Sequence, residues 1–362
     1  MKKILYKILL IVNAVFAFTL LISYLAVSIN PEDFALPAFF GLAYPYFLLI
    51  NIILAIIWAM LLRLEVLISV VAIAIGFTHF SNYIQLTKPA GDKTNTFKAL
   101  SYNVRLFNYF EKKNSTNSEK KIVAFLLSQN PDLICLQEFF VSGDPSEKER
   151  ALLNALGSKY YSHMKVLGRG RGRNRYYGII TLSKFPIIYK GEIVHPNSSS
   201  LSIYTDVLIL QDTFRIYNNH LQSFRLRNLE RSFLEEMTAP EDKETLKEVK
   251  SLSVSLKKGF VSRAFQSQVL KDHIKRSPYP VIVAGDFNDT PVSYAYRKIR
   301  KGLNDSFVNS GYGAGFTYKG NYPPNRIDYI LYDNALINSK FEIIRVKYSD
   351  HYPIVAYFRK KD

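Results

Sequence analysis

The sequence predicts an α/β or α+β domain of two packed layers, entered through an apolar helical region. Three observations carry that prediction. From Phe97 onward, short β-textured runs alternate with helix-like stretches, the pattern of sheets covered by helices. Runs such as LICL (133–136) and VIVA (281–284) lack polar alternation, as strands buried on both faces do. Ahead of them, residues 8–29, 34–62 and 66–78 contain no charge.

Those uncharged stretches come first in the chain. A spanning helix takes about 20 apolar residues, so three transmembrane helices are expected at 8–29, 36–62 and 66–82, within a membrane region 1–85. A cleaved signal peptide fits the first stretch less well. Its apolar core is long, no clear small-x-small site follows, and more apolar segments come next. Lys2, Lys3 and Lys7 precede the first stretch, Glu32 and Asp33 occupy the first loop, and Arg63 occupies the second. The positive-inside bias then puts the N-terminus in the cytoplasm and, after three spans, the rest of the chain on the periplasmic side of a bacterium-like cell. Without the third span, that part is cytoplasmic.

Residues 86–96, with Pro89, Gly91 and Asp92, read as a linker. The domain at 97–362 follows. Strands are expected in FKALSYNVRLF (97–107), DLICLQEF (132–139), YYGIITLS (176–183), SIYTDVLIL (202–210) and FRIYNNHL (214–221). Four more are expected in YPVIVAGDF (279–287), RIDYILY (326–332), FEIIRVKYS (341–349) and HYPIVAYF (351–358). A helix is expected from Ser118, as N-cap, to Gln129, before Pro131. Residues 225–262 are highly charged and helix-prone and read as a helical insertion, with helices in LRNLERSFLEEM and ETLKEVKSL. No fixed-period repeat is present. GRGRG at 168–172 is followed by no helix pattern, so it is not a nucleotide loop.

The chain carries a net charge of +17 over 362 residues. Residues 1–90 hold five cations and three anions, leaving about +15 in the remainder. That surplus favours an anionic partner such as nucleic acid, phospholipid headgroups or a phosphorylated small molecule; general solubility is the plainer explanation. Cys135 is the single cysteine and excludes an intramolecular disulfide.

Several strands end in residues that make poor core. Asn103 follows ALSY, Glu138 follows LICLQ, and Asn219 and His220 follow RIY and Asn218. Asp286 and Asn288 follow VIVAG, Asp328 sits in RIDYIL, and Ser349, Asp350 and His351 precede YPIVAYF. Period-2 geometry puts Asp286 and Asn288 on one face of their strand end, with Phe287 on the other. Each residue has a bland reading: a turn for Asn103, a surface charge for Glu138, a structural histidine for His220, pairing with Arg326 for Asp328, and a turn cap for Asp350. Jointly they are coherent chemistry. Carboxylates bind a hard divalent cation through oxygen, which polarises a phosphoryl oxygen. Amides donate to phosphate without adding charge. A histidine oriented by a carboxylate is a general base. No CxxC or HExxH pattern suggests zinc.

The pieces SYNVRLF, LICLQEF, YYGIITLSKFPI, NNHLQS, VAGDFNDTP, RIDYIL and SDHYPIVAYF, in that order over 97–358, resemble the endonuclease/exonuclease/phosphatase superfamily, the DNase-I-like phosphoesterases. The resemblance implies a four-layer α-β-β-α sandwich of two mixed sheets and Mg²⁺-dependent phosphoester cleavage, with Mn²⁺ as a possible substitute. It implies metal contacts at Glu138, Asn103 and Asp350, and catalytic roles for His220, Asp286, Asn288, Asp328 and His351. Within these, Asp328 orients His351, the base for water. Arg105 stands where some members carry an acid, which weighs against two metals. The acid that orients the first histidine in some nucleases has no clear match. The His220 and His351 pair resembles the branch holding nucleases, sphingomyelinases and inositol-phosphate phosphatases, and disfavours abasic-site activity.

For the substrate, the domain's charge and the basic loop KVLGRGRGRNR (165–175) beside Tyr176 and Tyr177 point to DNA or RNA. Arg169, Arg171, Arg173 and Arg175 would contact phosphates and Tyr177 would stack a base. The membrane region points instead to a phospholipid or sphingomyelin, and the two-histidine resemblance adds an inositol phosphate as an alternative. A catalytically silent binding module is the third reading.

Overall fold

The computed structural model describes all residues except 1–2, 88–90, 92–93, 110–114, 169–173, 197, 199, 210, 225–242, 321–323 and 362. Two six-stranded mixed sheets stack face to face. One has the order β10-β12-β9-β8-β7-β6: Asn304–Asp305, Asp328–Tyr332, Val281–Asp286, Asp212–His220, Leu201–Ile209 and Ile187–Ile193. The other has the order β13-β14-β2-β3-β5-β4: Leu336–Ile343, Ile354–Lys360, Phe97–Asn103, Leu133–Ser142, Arg175–Ser183 and Tyr161–Gly168. A third, two-stranded ladder joins β1 (Ile84–Gln85) to β11 (Gly313–Ala314). The pairs β2/β3 and β8/β9 are parallel and the rest antiparallel.

The apolar runs build four layers because alternate side chains leave opposite faces. In β3, Leu133 and Cys135 enter the core between the sheets, while Ile134 and Leu136 pack outward. That outer face meets Ile122, Phe125 and Leu126 of the helix Ser115–Gln129 and Leu152 of the helix Pro145–Ala155. In β9, Ile282 and Ala284 face the other sheet, while Val281 and Val283 meet Leu270 and Ile274 of the helix Lys243–Lys275 and Ile299 of the helix Tyr294–Arg300. Each fully buried Val, Ile or Leu contributes roughly 1.5–3 kcal/mol. Buried on both faces, these strands leave chemistry only at their tips.

Local details depart from the sequence reading. The first strand stops at Asn103, and Arg105–Asn108 form a left-handed turn with φ of 47–55°. Ser118 lies inside its helix, where its Oγ accepts from Asn108 Nδ2. FEIIRVKYS is strand only as far as Ile343. The edge strands Tyr161–Gly168 and Ile187–Ile193 were not anticipated, since their half-buried residues give no clean pattern. The second expected insertion helix is the start of one helix continuing to Lys275; the first lies outside the described residues.

The apolar region packs as a bundle of Lys3–Leu25, Tyr44–Met60 and Val66–Ile75. Lys3–Leu25 is long and apolar enough to cross a membrane by itself. Leu36–Leu42 and Tyr44–Met60 reach that length only together, bent by 64°. The third stretch is shorter than expected because its helix breaks at Gly76 before resuming at Phe77–Ser81. At one end of the bundle, Tyr6 bonds Glu65 and Arg63 lies over the Tyr6 ring. The other end meets the sandwich. There Thr290 Oγ1 donates to Gly41 O at 3.5 Å, Gly315 N to Tyr83 O at 2.8 Å, and Arg326 Nη1 to Asn82 O at 2.8 Å. The fit at Gly41 is tight: a Cβ there would sit 2.3 Å from Val292 O.

Candidate active site

Six polar residues converge at one edge of the sandwich: four from strand ends, one from a strand bulge and one from a loop. Asn103 ends β2, and its Nδ2 donates to Asp286 Oδ2 at 2.9 Å and Glu138 Oε1 at 3.2 Å. Its backbone oxygen accepts from Ser349 Oγ at 2.8 Å. Glu138 sits in a bulge of β3 with φ of 52°. A left-handed conformation costs a non-glycine residue on the order of 1 kcal/mol. The bulge turns Glu138 toward the strand tips, with its Oε1 3.4 Å from His220 Nε2.

His220 ends β8 beside Asp286, which ends the parallel neighbour β9. Gly285 makes that approach possible, because its φ is 137° and a Cβ would meet Asn219 O at 2.0 Å. Asn288 stands past the tip, its N–H donating to Asp286 Oδ1 at 2.8 Å and its Nδ2 to Leu221 O at 3.0 Å. Asp328 opens β12 directly opposite Asp286. Its Oδ2 meets His351 Nδ1 at 2.9 Å, leaving His351 Nε2 3.8 Å from Asp286 Oδ2. The Tyr318 ring stands edge-on to the His351 imidazole, with centroids 5.1 Å apart.

The bland alternatives for Asp328 and Asp350 do not hold. Arg326 pairs with Asp305, whose Oδ2 it reaches at 2.6 Å, leaving Asp328 to the histidine. Asp350 turns to Arg105, whose Nε lies 3.3 Å from its Oδ2. Arg105 therefore holds one of the expected metal contacts.

The electrostatics divide the roles. Burial pushes the Asp286 carboxyl up to about 6, and the nearby Asp328 charge adds to this, against His351, His220 and the Asn103 bond. Burial alone would lower His351; the Asp328 and Asp286 carboxylates more than reverse it and hold the imidazole well above its usual range. These surroundings favour a His351 imidazole that carries its second proton. Asp286 is the group nearer to accepting one.

The donor set suits a hard cation. Glu138, Asp286 and Asp328 crowd one edge, and His220 Nε2 and Asp328 Oδ1 are buried without a hydrogen-bond partner among the described residues. Ligand atoms of Asp286, Asp328 and His351 lie within 4.8 Å of one another. His351 Nδ1 and Asp328 Oδ2 are bonded to each other, so the Asp328 oxygen open to a cation is Oδ1.

Two neighbours of the motif residues escaped the sequence reading. Gln137, wholly buried, donates to Asn218 Oδ1 at 2.7 Å across the two sheets. Thr317 Oγ1 accepts the backbone N–H groups of Ile327 and Asp328, both at 3.1 Å. Gln137 and Asn218 were legible as letters adjoining Glu138 and His220. Thr317 carried no signal. The substrate-side residues stand apart. Arg175 pairs with Ser142, four residues beyond Glu138 and so roughly 13 Å along the strand, and lies over Tyr109. Tyr177 is half-buried within β5 opposite Phe140. Arg169, Arg171 and Arg173 lie outside the described residues.

Comparison with known proteins agrees with this geometry. A model of the Endonuclease/Exonuclease/phosphatase family matches residues 100–351, and one of a domain of unknown function (DUF8431) matches residues 6–83. No curated protein matches the chain. Among solved structures, an endonuclease/exonuclease/phosphatase family protein from Leptotrichia buccalis is 17% identical with a TM-score of 0.52, over 73% of this chain and 99% of that one. An endonuclease/exonuclease/phosphatase from Beutenbergia cavernae is 16% identical with a TM-score of 0.53, over 74% and 72%. The catalytic domain of human Nocturnin, with a bound sulfate anion, is 16% identical with a TM-score of 0.50, over 74% and 95%. At these identities the likeness is one of fold.

Proposed function

The chain belongs to the endonuclease/exonuclease/phosphatase family, and from that premise we propose that it is a membrane-anchored, Mg²⁺-dependent phosphodiesterase acting on DNA or RNA. The observation that carries this reading is the single constellation formed by Asn103, Glu138, His220, Asp286, Asp328 and His351. Glu138, with Asn103 and Asp350, would hold the cation, which when bound polarises the phosphate. Asp286 takes the proton of the attacking water, since its raised pKa leaves it basic near neutrality. His351, kept protonated and aimed by Asp328, gives a charge-assisted hydrogen bond to the phosphate. His220 contacts the same phosphate, and Asn288 fixes the turn that aims Asp286. The strongly basic domain supports a polyanionic substrate.

A second reading is hydrolysis of a lipid headgroup phosphodiester. It draws on the seam: Thr290 and Val292, just past Asn288, rest on Gly41 of the apolar region. In this reading the chain passes the membrane three times with the Arg63 end of the bundle in the cytoplasm, which would put the sandwich on the periplasmic side.

The test uses the full chain in detergent micelles, offered plasmid DNA, RNA, sphingomyelin and inositol phosphates with Mg²⁺ or EDTA. DNA or RNA cleavage, abolished by EDTA and by His351→Ala, is the expected result. Headgroup release without cleavage of nucleic acid moves the function to the second reading, and inactivity on all four overturns both. A reporter fused after Asp362 is expected to be active outside the cytoplasm; activity only inside overturns the orientation.

A further inference from the structure

A cavity of about 620 Å³ lies where the apolar bundle meets the sandwich, away from the strand tips described above. One wall is the end of the bundle, with Val27, Thr78 and Ser81. The other is the helix Tyr294–Arg300 and the turn after it, which bring Arg297, Lys298, Arg300 and Lys301 to the same space. No carboxylate lines it among the described residues. Four cations facing a cavity without a counter-charge repel one another and attract an anion.

The cations are not all engaged within the fold. Arg300 is: its Nη1 donates to Asn82 Oδ1 at 2.6 Å and to Tyr296 Oη at 2.8 Å. Lys298 lies over the Tyr294 ring, 5.1 Å from its centroid. The side chains of Arg297 and Lys301 are exposed and have no hydrogen-bond or ion-pair partner among the described residues. Basic residues in a helix's last turn are stabilised by the negative end of its dipole, which accounts for their presence on this helix but not for the polar wall facing them.

The position of the cavity decides the ligand. Just beyond Thr78, the bundle exposes Phe77 at 61%, Ile75 at 64% and Val71 at 53%. An apolar outer surface thus gives way, within one or two helical turns, to Thr78, Ser81 and the cations. That is the order met along a lipid from acyl chain to phosphate. We propose that this cavity binds the phosphate of an anionic membrane phospholipid, whose acyl chains lie along the outer face of the Val66–Ile75 helix. The proposal rests on the membrane-anchoring part of the function above, not on the reaction.

The test uses full-length protein in nanodiscs and native mass spectrometry of the released complex. The probes are phosphatidylglycerol, phosphatidylcholine and inorganic phosphate. Retention of phosphatidylglycerol over phosphatidylcholine is expected, weakened roughly 10- to 30-fold by the Arg297→Gln/Lys301→Gln double variant. Since neither side chain has a partner, the variant is expected to melt as the parent does without lipid. A Lys190→Gln/Lys347→Gln control removes the same charge elsewhere and should leave retention unchanged. Equal retention of both lipids, equal loss in the control, or binding of inorganic phosphate that displaces phosphatidylglycerol overturns the lipid assignment. Carbonate washing of membranes separates the two readings. A chain released by carbonate overturns anchoring and this site together, whereas a chain that stays in the membrane without the lipid preference overturns this site alone.

Discussion

The bundle and the sandwich bury opposite things. In the sandwich, Leu100, Ile134, Val283 and Ile330 are inside and polar residues cap the strand tips. In the bundle, Ile11 and Phe18 are each 63% exposed, while Asn13, Asn51 and Ser69 are wholly buried. Ser69 Oγ donates to Asn13 Oδ1 at 2.6 Å and Asn51 Oδ1 at 3.1 Å, and Asn51 Nδ2 to Phe16 O at 2.9 Å. An apolar exterior around a hydrogen-bonded interior is suited to lipid, where burial of hydrocarbon between helices gains little. Under the proposed anchoring, the solvent each region meets accounts for where its polar residues lie.

The largest expected effect breaks the sandwich's chemistry and leaves its fold intact. Glu138→Ala and His351→Ala are each expected to lower turnover about 10³-fold, on whichever phosphoester the substrate panel identifies. The melting temperature should stay near the parent's, because Glu138 in its bulge and His351 in its loop both lie outside the apolar layers. Glu138→Ala should also weaken the response to added Mg²⁺; an unchanged metal titration contradicts its place beside the cation.

Inside the sandwich, the polar link between the sheets is expected to be structural. Gln137→Leu leaves Asn218 Oδ1 buried without its donor, at about 1–3 kcal/mol. Adding Asn218→Leu should cost less than the sum of the two single changes, since both partners are then apolar. Strict additivity in urea unfolding would show that the bond does not couple the sheets.

A smaller effect comes from pH. Burial lowers His195 to about 4, where its Nε2 meets Ser202 Oγ at 2.9 Å. It is neutral in the fold, while the unfolded residue takes a proton near pH 6.5. Its stabilising contribution is present above pH 6.5 and is lost as pH falls toward 4, on the order of 2 kcal/mol in all. His195→Gln should flatten that part of the stability curve; a slope equal to the parent's assigns the acid sensitivity elsewhere.

What the sequence made legible follows the same division. The strand-tip residues could be read because an acid, amide or imidazole closing an apolar run is costly without a purpose. Gln137 and Asn218 sat inside the same motifs and were passed over, because a buried amide pair across two sheets has no sequence spacing. The left-handed turn at Arg105–Asn108 contains no glycine or proline to announce it. The break at Gly76 was hidden in an unbroken apolar run. There a Cβ would meet the Tyr24 ring at 2.0 Å, so the position is set by a neighbour rather than by local preference. The pairing of Arg326 with Asp305 was not legible because the partner lies 21 residues away in sequence.

The sharpest version of the comparison makes the same kind of substitution in both regions. Asn51→Leu removes the centre of the bundle's polar node, as Gln137→Leu removes one partner of the sandwich's amide pair. In a bilayer, interhelical hydrogen bonds of this kind average about 0.6 kcal/mol, because the separated helices find other partners in the membrane. The bundle variant is therefore expected to cost less than the sandwich variant and to leave catalysis unchanged when both are measured in the same nanodiscs. A loss at Asn51 equal to or greater than that at Gln137 would mean that the node is paid for as it would be in a water-soluble core. The exposed Ile11 and Phe18 would then need a protein partner, not lipid, to cover them.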